Sequence, residues 1–166
     1  MRKKLKDLRE LYINQLRTVL SAEIQITRAL PTIIDRATDQ QLKQAFQSHL
    51  QETEFHVSRI EDILSRAVGK SEQIKCNAVA ALVAETEDLI LDAKDDSVRD
   101  AALIAAGQRV EHYEIAVYGA IRHFAQILGE AEAAELLDKT IKEEGHADHL
   151  LTSIANRINP AAQQAA

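Results

Sequence analysis

The sequence predicts an all-α fold, a bundle of long helices, and three observations support this prediction. Apolar residues make up 46% of the 166 residues, yet aromatic residues make up only 4%, and there are just five glycines and two prolines. Ala, Leu, Ile, Glu, Gln and Lys, which favour helix, dominate the chain. Long segments repeat apolar residues every three or four positions, which is the period of a helix with one buried face.

Charge and cysteine content exclude several classes of function. The formal net charge is −6 with acids and bases mixed along the chain, whereas nucleic-acid binding needs a basic face. The single cysteine, Cys76, cannot form an internal disulfide or a thiolate metal cluster. The sequence has no apolar run of the ~20 residues that a membrane span needs, and no signal peptide opens it. We therefore expect a cytoplasmic protein without nucleic-acid or membrane partners.

The first half of the chain predicts a pair of long helices. The first covers about residues 5–36, and Pro31 predicts a kink or local break because proline removes a backbone donor and clashes one turn back. The second covers about residues 39–67, with Asp39 as its cap and Gly69 after its end.

The second half predicts another pair, preceded by a long connection. Residues 78–93 have a helical pattern, and sixteen residues at ~1.5 Å each span roughly 24 Å, most of a bundle's height. Helices over residues 97–128 and 130–158 follow, with a tight turn at Gly129 between them, and residues 159–166 are expected to be a flexible tail.

Two hairpins of long helices joined by one crossover are typical of ferritin-like four-helix bundles, as opposed to simple up-down-up-down bundles. Residues 1–158 are therefore predicted to form one bundle of this kind, with the crossover helix between its second and third helices. The length of the chain suits one domain with a substantial core.

Several acidic residues point toward the predicted core. Successive helical residues lie ~100° apart, so the centre of each apolar face can be calculated. Glu23 lies in the middle of the apolar face of the first helix, and Glu111 and Glu114 lie inside that of the third bundle helix. Glu144 is in line with the apolar face of the last helix, with Asp148 one turn on. The predicted topology places these carboxylates in one layer.

Such a layer predicts bound cations. Buried carboxylates cost several kcal/mol each unless they are protonated, paired or metal-bound. Among the inward-facing positions only Arg122 offers a positive charge, whereas two divalent cations would neutralise most of the layer. Hard oxygen ligands with a few imidazoles suit iron first, or manganese, and zinc stays open. The alternative is a partly hydrated, hydrogen-bonded layer without metal.

The second helix supplies the candidate imidazoles. His49, Glu52 and His56 follow i, i+3, i+7 spacing, so all three can approach one metal, although each histidine taken alone is equally well explained as a partly buried polar residue. Tyr118 faces the layer, either as a hydrogen-bond partner of a ligand or simply as core packing. Three further histidines lean away from the predicted core: His112, His146 and His149.

Five short segments together carry a resemblance. They are Ser21-Ala22-Glu23, His49-Leu50-Gln51-Glu52-Thr53-Glu54, Val98-Arg99-Asp100-Ala101-Ala102, Glu111-His112-Tyr113-Glu114-Ile115-Ala116 and Lys142-Glu143-Glu144. In combination they resemble the ferritin-like YciE/YciF family of bacterial stress-associated proteins over nearly the whole chain. Glu111-His112-Tyr113-Glu114 is also similar to the third-helix motif of rubrerythrin-type di-iron proteins, in which both glutamates bind metal.

The resemblance implies a bundle that pairs into homodimers, a two-metal site and expression under stress. Two positions depart from the wider superfamily. The second helix lacks a Glu-x-x-His pair because position 53 is threonine, and the last helix has Asp148 where many relatives have histidine.

Three classes of function remain after the sequence is read. The first is oxidation of Fe(II) by oxygen or hydrogen peroxide at a di-iron site, with Glu114 or a neighbouring glutamate bridging the metals. The second, iron storage, needs a high-order assembly and ranks low because the resemblance implies a dimer. The third is a structural or interaction bundle whose metal is structural or absent. Whether the protein is an enzyme stays open, and one cysteine cannot build a rubredoxin-like electron donor.

Overall fold

The computed structural model describes residues 4–165, and five α-helices make up most of this range. They are α1 (Leu8–Arg36), α2 (Gln40–Val68), α3 (Asn77–Asp92), α4 (Asp96–Ile127) and α5 (Ala131–Gln163). Every regular element between residues 4 and 165 is a helix, which confirms the all-α prediction.

Local sequence signals set most of the helix ends. The side chains of Asp7, Asp39 and Asp95 accept hydrogen bonds from backbone amides in the first turns of α1, α2 and α4, which satisfies donors that a helix start leaves free. Gly69 and Gly129 follow α2 and α4 with φ of 75°, a backbone conformation that glycine adopts without a steric penalty.

Two helices continue through a proline. Residues on both sides of Pro31 belong to α1 without interruption, and α5 continues through Pro160 to Gln163, beyond the expected end at residue 158. Both prolines are exposed, so carbonyls left without an amide partner can face water. The last turns of α5 also bury Ile158 in the apolar core. Of the tail expected over residues 159–166, residue 166 lies outside the described range.

The four longest helices enclose a common interior. α4 packs most extensively against α5, and α1 packs against α2. α2 also contacts α5, and α1 contacts α4, which closes the ring of contacts. α3, the short helix between α2 and α4, packs against α4 and α1. No helix within residues 4–165 combines the length and the apolarity needed to cross a membrane.

Two apolar clusters fill this interior, one toward each end. One contains residues from the C-terminal part of α1 and the N-terminal part of α2, and the other contains residues from the opposite parts of the same helices. On α4 the boundary between the two clusters falls after Ile104 and before Tyr118, and on α5 it falls after Leu137 and before Leu151. The inward-facing ionisable residues occupy the gap between the clusters.

Candidate metal centre

Six ionisable side chains are buried between the two apolar clusters, each with 5% or less of its surface exposed. α1 contributes one, α2 two, α4 two and α5 one. They are Glu23, His49, His56, Glu111, Glu114 and Glu144. Each occupies a position of its helix that faces the interior, so the helical period that buries the apolar residues also buries these six.

The six side chains form two overlapping groups. We call Glu23, His56 and Glu144 the Glu23 cluster, and His49, Glu111, Glu114 and Glu144 the Glu111 cluster. Within each cluster every residue offers one nitrogen or oxygen atom that lies within 4.8 Å of those of the others. Glu144 belongs to both, so its carboxylate lies between the two clusters.

In the Glu23 cluster an imidazole faces two carboxylates. Nδ1 of His56 lies 2.9 Å from Oε1 of Glu144 and 3.7 Å from Oε1 of Glu23. The contact with Glu144 is short enough for an ion pair when His56 is protonated. The hydroxyl of Tyr118, which is fully buried, donates a short hydrogen bond to Oε1 of Glu23. Tyr118 is thus a hydrogen-bond partner of the layer as well as a core residue.

The other ring nitrogen of His56, Nε2, forms a hydrogen bond with Glu143. Nε2 of His56 lies 3.1 Å from Oε2 of Glu143, and a carboxylate can only accept, so in this hydrogen bond Nε2 carries the proton. Arg59 donates from both terminal nitrogens to the Glu143 carboxylate and, over 3.0 Å, to the hydroxyl of Thr140. Metal-binding histidines commonly donate their second ring N–H to a carboxylate in this way.

Arg59 and Glu143 were not predicted as parts of the site. Arg59 lies one turn after His56 on α2, and Glu143 directly precedes Glu144 on α5. Helical spacing of i, i+3 from His56 was a signal for Arg59. The expected inward cation, Arg122, instead pairs with Asp138 at 2.6 Å and is 37% exposed.

In the Glu111 cluster, no hydrogen bond like that between His56 and Glu143 orients the imidazole of His49. Nε2 of His49 lies 3.4 Å from Oε1 of Glu111, and Nδ1 lies 3.9 Å from Oε2 of Glu144. Neither ring nitrogen of His49 has a hydrogen-bond partner, and neither carboxylate oxygen of Glu114 has one. Of the twelve buried side-chain nitrogen and oxygen atoms without a partner in the described chain, nine belong to the six residues of the two clusters.

Burial and mutual repulsion shift the pKa values of the layer. Burial, reinforced by neighbouring carboxylates, raises the pKa of Glu111 and of Glu114 well above the usual range, and burial raises that of Glu23 to about 7. Burial lowers the pKa of His56, but the adjacent carboxylates of Glu144 and Glu23 outweigh it and raise the value to about 9. Burial also opposes ionisation of Glu144, yet His56 keeps its pKa below the usual value. Without metal, protons bound to Glu111 and Glu114 would therefore neutralise part of the negative charge of the layer.

The donor set fits a pair of divalent cations. Four buried carboxylates carry a charge of −4 when ionised, which two divalent ions balance, and two imidazoles complete a set of oxygen and nitrogen ligands. The partnerless atoms are those that would face such ions. Buried polar atoms normally have partners, so these atoms are candidates for binding a metal ion.

The structure does not bring two of the predicted ligands into either cluster. Asp148 accepts a hydrogen bond from Nε2 of Gln108 at 3.2 Å and lies 3.4 Å from Nε2 of the exposed His112. Glu52 is half-buried on the wall of a pocket between α2 and α5. Both lie at an edge of the apolar face of their helix, where the side chain turns outward. His146 and His149 are exposed, as expected.

The fold and the site define a class: an all-helical bundle with a buried layer of glutamates and histidines able to hold metal. The chain belongs to the family described as a domain of unknown function (DUF892), which matches residues 7–165. It is 40% identical over 164 residues to the protein YciF of Escherichia coli, an alignment that covers 98% of this chain and 99% of that protein. The resemblance to the YciE/YciF family is thereby confirmed.

Solved structures show the same relationship. The crystal structure of the E. coli stress protein YciF matches with a TM-score of 0.90 and 39% identity, covering 94% of this chain and 99% of that one. YcfI of Rhodopseudomonas palustris, provisionally assigned as a structural protein, matches with a TM-score of 0.89 and 34% identity, covering 92% and 97%. A Xanthomonas campestris protein shares the fold alone, with a TM-score of 0.73 and 19% identity over 95% and 99%.

Proposed function

We propose that this protein is a ferritin-like four-helix bundle that holds two divalent metal ions in its buried layer and oxidises Fe(II). α1, α2, α4 and α5 are the bundle helices, and α3 is the crossover between its two hairpins. The closed ring of contacts among the four long helices supports this topology, as does the placement of α3 against α4 and α1.

One observation supports the proposal above all others. Most of the buried nitrogen and oxygen atoms that lack a hydrogen-bond partner in the described chain belong to two clusters of potential metal ligands, and the two clusters share the carboxylate of Glu144. Glu23 and His56 would hold one metal ion, and His49, Glu111 and Glu114 would hold the other. Glu144 belongs to both clusters and would serve both ions. Iron is the first choice for this set of oxygen and imidazole ligands, and manganese or zinc are the alternatives.

A reduced iron pair, when bound, supplies the two electrons that reduce hydrogen peroxide to water or begin the reduction of oxygen. The protein's own residues set the conditions for that chemistry. The apolar clusters cover the layer on the sides that face the two ends of the bundle. Tyr118 orients the Glu23 carboxylate through its hydrogen bond, and Glu143 fixes the orientation of His56. The four carboxylates stabilise the additional positive charge of the oxidised state.

The proposal places this chemistry in a cytoplasmic homodimer that acts under stress. The support is the 40% identity to YciF, whose crystal structure is described as that of a stress protein. Oxygen or peroxide is the proposed small-molecule substrate. A peroxidase of rubrerythrin type would need an external reductant, because a single cysteine, Cys76, cannot build a rubredoxin-like electron donor.

The alternative is a structural or interaction bundle whose metal is structural or absent. The provisional assignment of YcfI as a structural protein favours it. In that case the buried layer would be neutralised by protons on Glu111 and Glu114, whose pKa values burial raises.

Metal counting with an activity measurement tests the proposal. The protein is loaded anaerobically with Fe(II) and desalted, and iron per chain is counted by mass spectrometry, in parallel with Glu111→Ala/Glu114→Ala. Oxygen or hydrogen peroxide is then admitted, and ferric absorbance is followed. We expect about two irons per chain, fewer in the double variant, and oxidation faster than that of free Fe(II). Equal and negligible iron in both proteins would leave the structural bundle as the better account.

A further inference from the structure

A pocket between α2 and α5 leads from the surface toward the Glu111 cluster. Its volume is about 70 Å³. The lining begins with the exposed side chains of Ser48 and His146, continues past the half-buried Glu52, and ends at the buried His49 and Glu111. The pocket therefore connects solvent with two residues of the layer.

The inner end of this pocket is formed by His49 and Glu111, whose potential metal-ligand atoms largely lack hydrogen-bond partners. His49 is 5% exposed, and neither of its ring nitrogens has a hydrogen-bond partner. Glu111 is 2% exposed, and its Oε2 also has none. A cavity needs about 10–15 Å³ to hold one water molecule, so this volume has room for a cation with a few of its waters.

The walls suit a cation. None of the described residues that line the pocket is a lysine or an arginine, whereas Glu52 and His146 offer an oxygen and a nitrogen ligand near its mouth. Glu52 lies within the electrostatic reach of Glu143 and Glu144 and also of His56 and His146, so charges of both signs act on it. The remaining described lining residues are apolar, so Ser48, Glu52 and His146 are the polar side chains that an ion meets before it reaches His49 and Glu111.

A second cavity also reaches His49 and Glu111 but suits an ion poorly. Its volume is about 30 Å³, and beyond His49 and Glu111 its lining is apolar apart from Thr86 and Gly107. The apolar side chains come from four helices: Ile26, Ala29, Leu30, Ile33, Phe46, Val83, Leu103, Ala106 and Val110. A divalent ion would lose its waters there without replacement ligands, which is strongly unfavourable.

We propose that the pocket between α2 and α5 is the entry site for divalent cations, with Glu52 and His146 as transient ligands that pass the ion to His49 and Glu111. The ligand is a partly hydrated first-row divalent cation. This inference rests on the proposed function, because it presumes that the layer is the destination. It also gives Glu52 a role outside the resident ligand set.

Uptake kinetics test the inference, with Co(II) as the probe because its visible absorption reports binding. Metal-free wild type is compared with Glu52→Gln/His146→Gln by stopped flow. The matched control is Glu54→Gln/His149→Gln, which makes the same chemical changes on the same two helices at exposed residues that do not line the pocket. We expect uptake to slow about tenfold or more in the pocket variant and less than about twofold in the control, with equal final Co(II) per chain.

Three results would overturn the inference. Equal uptake rates in the pocket variant and the control would remove the pocket as the entry route. A lower final Co(II) count in the pocket variant, with normal helicity by circular dichroism, would make Glu52 or His146 a resident ligand instead. Wild type that retains no Co(II) at equilibrium would refute the proposed function itself, and this equilibrium count separates that failure from a failure of the entry route.

Discussion

The Glu23 cluster and the Glu111 cluster use the same kinds of donor but differ in their surroundings. In the Glu23 cluster the imidazole of His56 is fixed by Glu143, which Arg59 holds in turn, and Tyr118 bonds the carboxylate of Glu23. In the Glu111 cluster His49 has no hydrogen-bond partner and lines a pocket that opens to solvent. The first cluster is thus preorganised and enclosed, and the second is accessible.

This difference indicates that the identity of the ligands alone does not determine the affinity and the exchange rate of a metal site. Hydrogen bonds behind a ligand orient it and strengthen binding, whereas a ligand without them must be ordered by the metal. We therefore expect the Glu23 cluster to bind more tightly and the Glu111 cluster to exchange faster.

Removing the shared carboxylate should affect both clusters at once. Glu144→Gln keeps the shape of the side chain but removes the charge between the two ions, so metal per chain should fall from about two to well below one. Mass spectrometry after anaerobic loading and desalting measures this. Glu135→Gln, an exposed position on the same helix, is the control. Retention of two ions by Glu144→Gln would contradict the placement of this carboxylate between them.

Removing one histidine should empty one cluster only. His56→Leu and His49→Leu each remove an imidazole while keeping an apolar volume, so each should leave about one ion per chain. The ion that remains in His49→Leu should exchange more slowly, because it occupies the enclosed Glu23 cluster. Competition with a chelator measures the exchange rate. Equal exchange rates of the remaining ion in the two variants would contradict the proposed difference between the clusters.

Weakening the support behind His56 should have a smaller effect. Arg59→Gln removes the guanidinium that holds Glu143, so the orientation of His56 becomes less restricted and metal affinity should fall about tenfold. Titration calorimetry with Co(II) measures the affinity. Arg66→Gln, a surface arginine of α2 that is 59% exposed, is the control and should bind as wild type does. No change in Arg59→Gln would mean that Glu143 alone suffices.

Opposite pKa shifts of the two histidines predict a pH dependence of the metal-free protein. The carboxylates beside His56 outweigh burial and raise its pKa to about 9, whereas burial lowers that of His49. His56 should therefore be charged and His49 neutral at pH 7, which nitrogen-15 NMR of the imidazole rings detects. A neutral His56 at pH 7 would contradict this assignment.

The sign of the linked stability change follows from proton binding. Between pH 6.5 and 9 the folded metal-free protein holds a proton on His56 that the unfolded chain has released. The stabilisation from His56 is thus complete below pH 6.5 and is lost as pH rises through 9, about 2 kcal/mol between pH 7 and 9. Urea unfolding at the two pH values measures this loss, and His56→Gln should reduce it.

Much of the site could be predicted from the sequence because the apolar face of a helix has a calculable direction. Glu23, Glu111, Glu114 and Glu144 lie near the centres of those faces, so a few degrees of helix rotation do not change their burial. Glu52 lies at an edge, where the same rotation decides between the layer and the pocket wall. Edge positions depend on the packing of neighbouring helices, which one sequence does not specify.

Long-range partners and helix ends were harder to predict for related reasons. The bond between Arg59 and Glu143 joins residues 84 positions apart, and it depends on how α2 and α5 are aligned along their axes. The continuation of α5 through Pro160 to Gln163 also lies outside the prediction, because proline near the end of the helical pattern indicated a helix end. The all-α class was predicted correctly because it follows from composition and local periodicity, which need no knowledge of contacts.

Anomalous X-ray diffraction on crystals loaded anaerobically with Fe(II) would show whether the buried layer holds two metal ions. Data collected at the iron absorption edge locate each ion without reference to its ligands. We expect two iron peaks per chain, one in the Glu23 cluster and one in the Glu111 cluster, with the Glu144 carboxylate between them. No iron peak in the buried layer, or iron bound only at surface residues, would contradict this expectation.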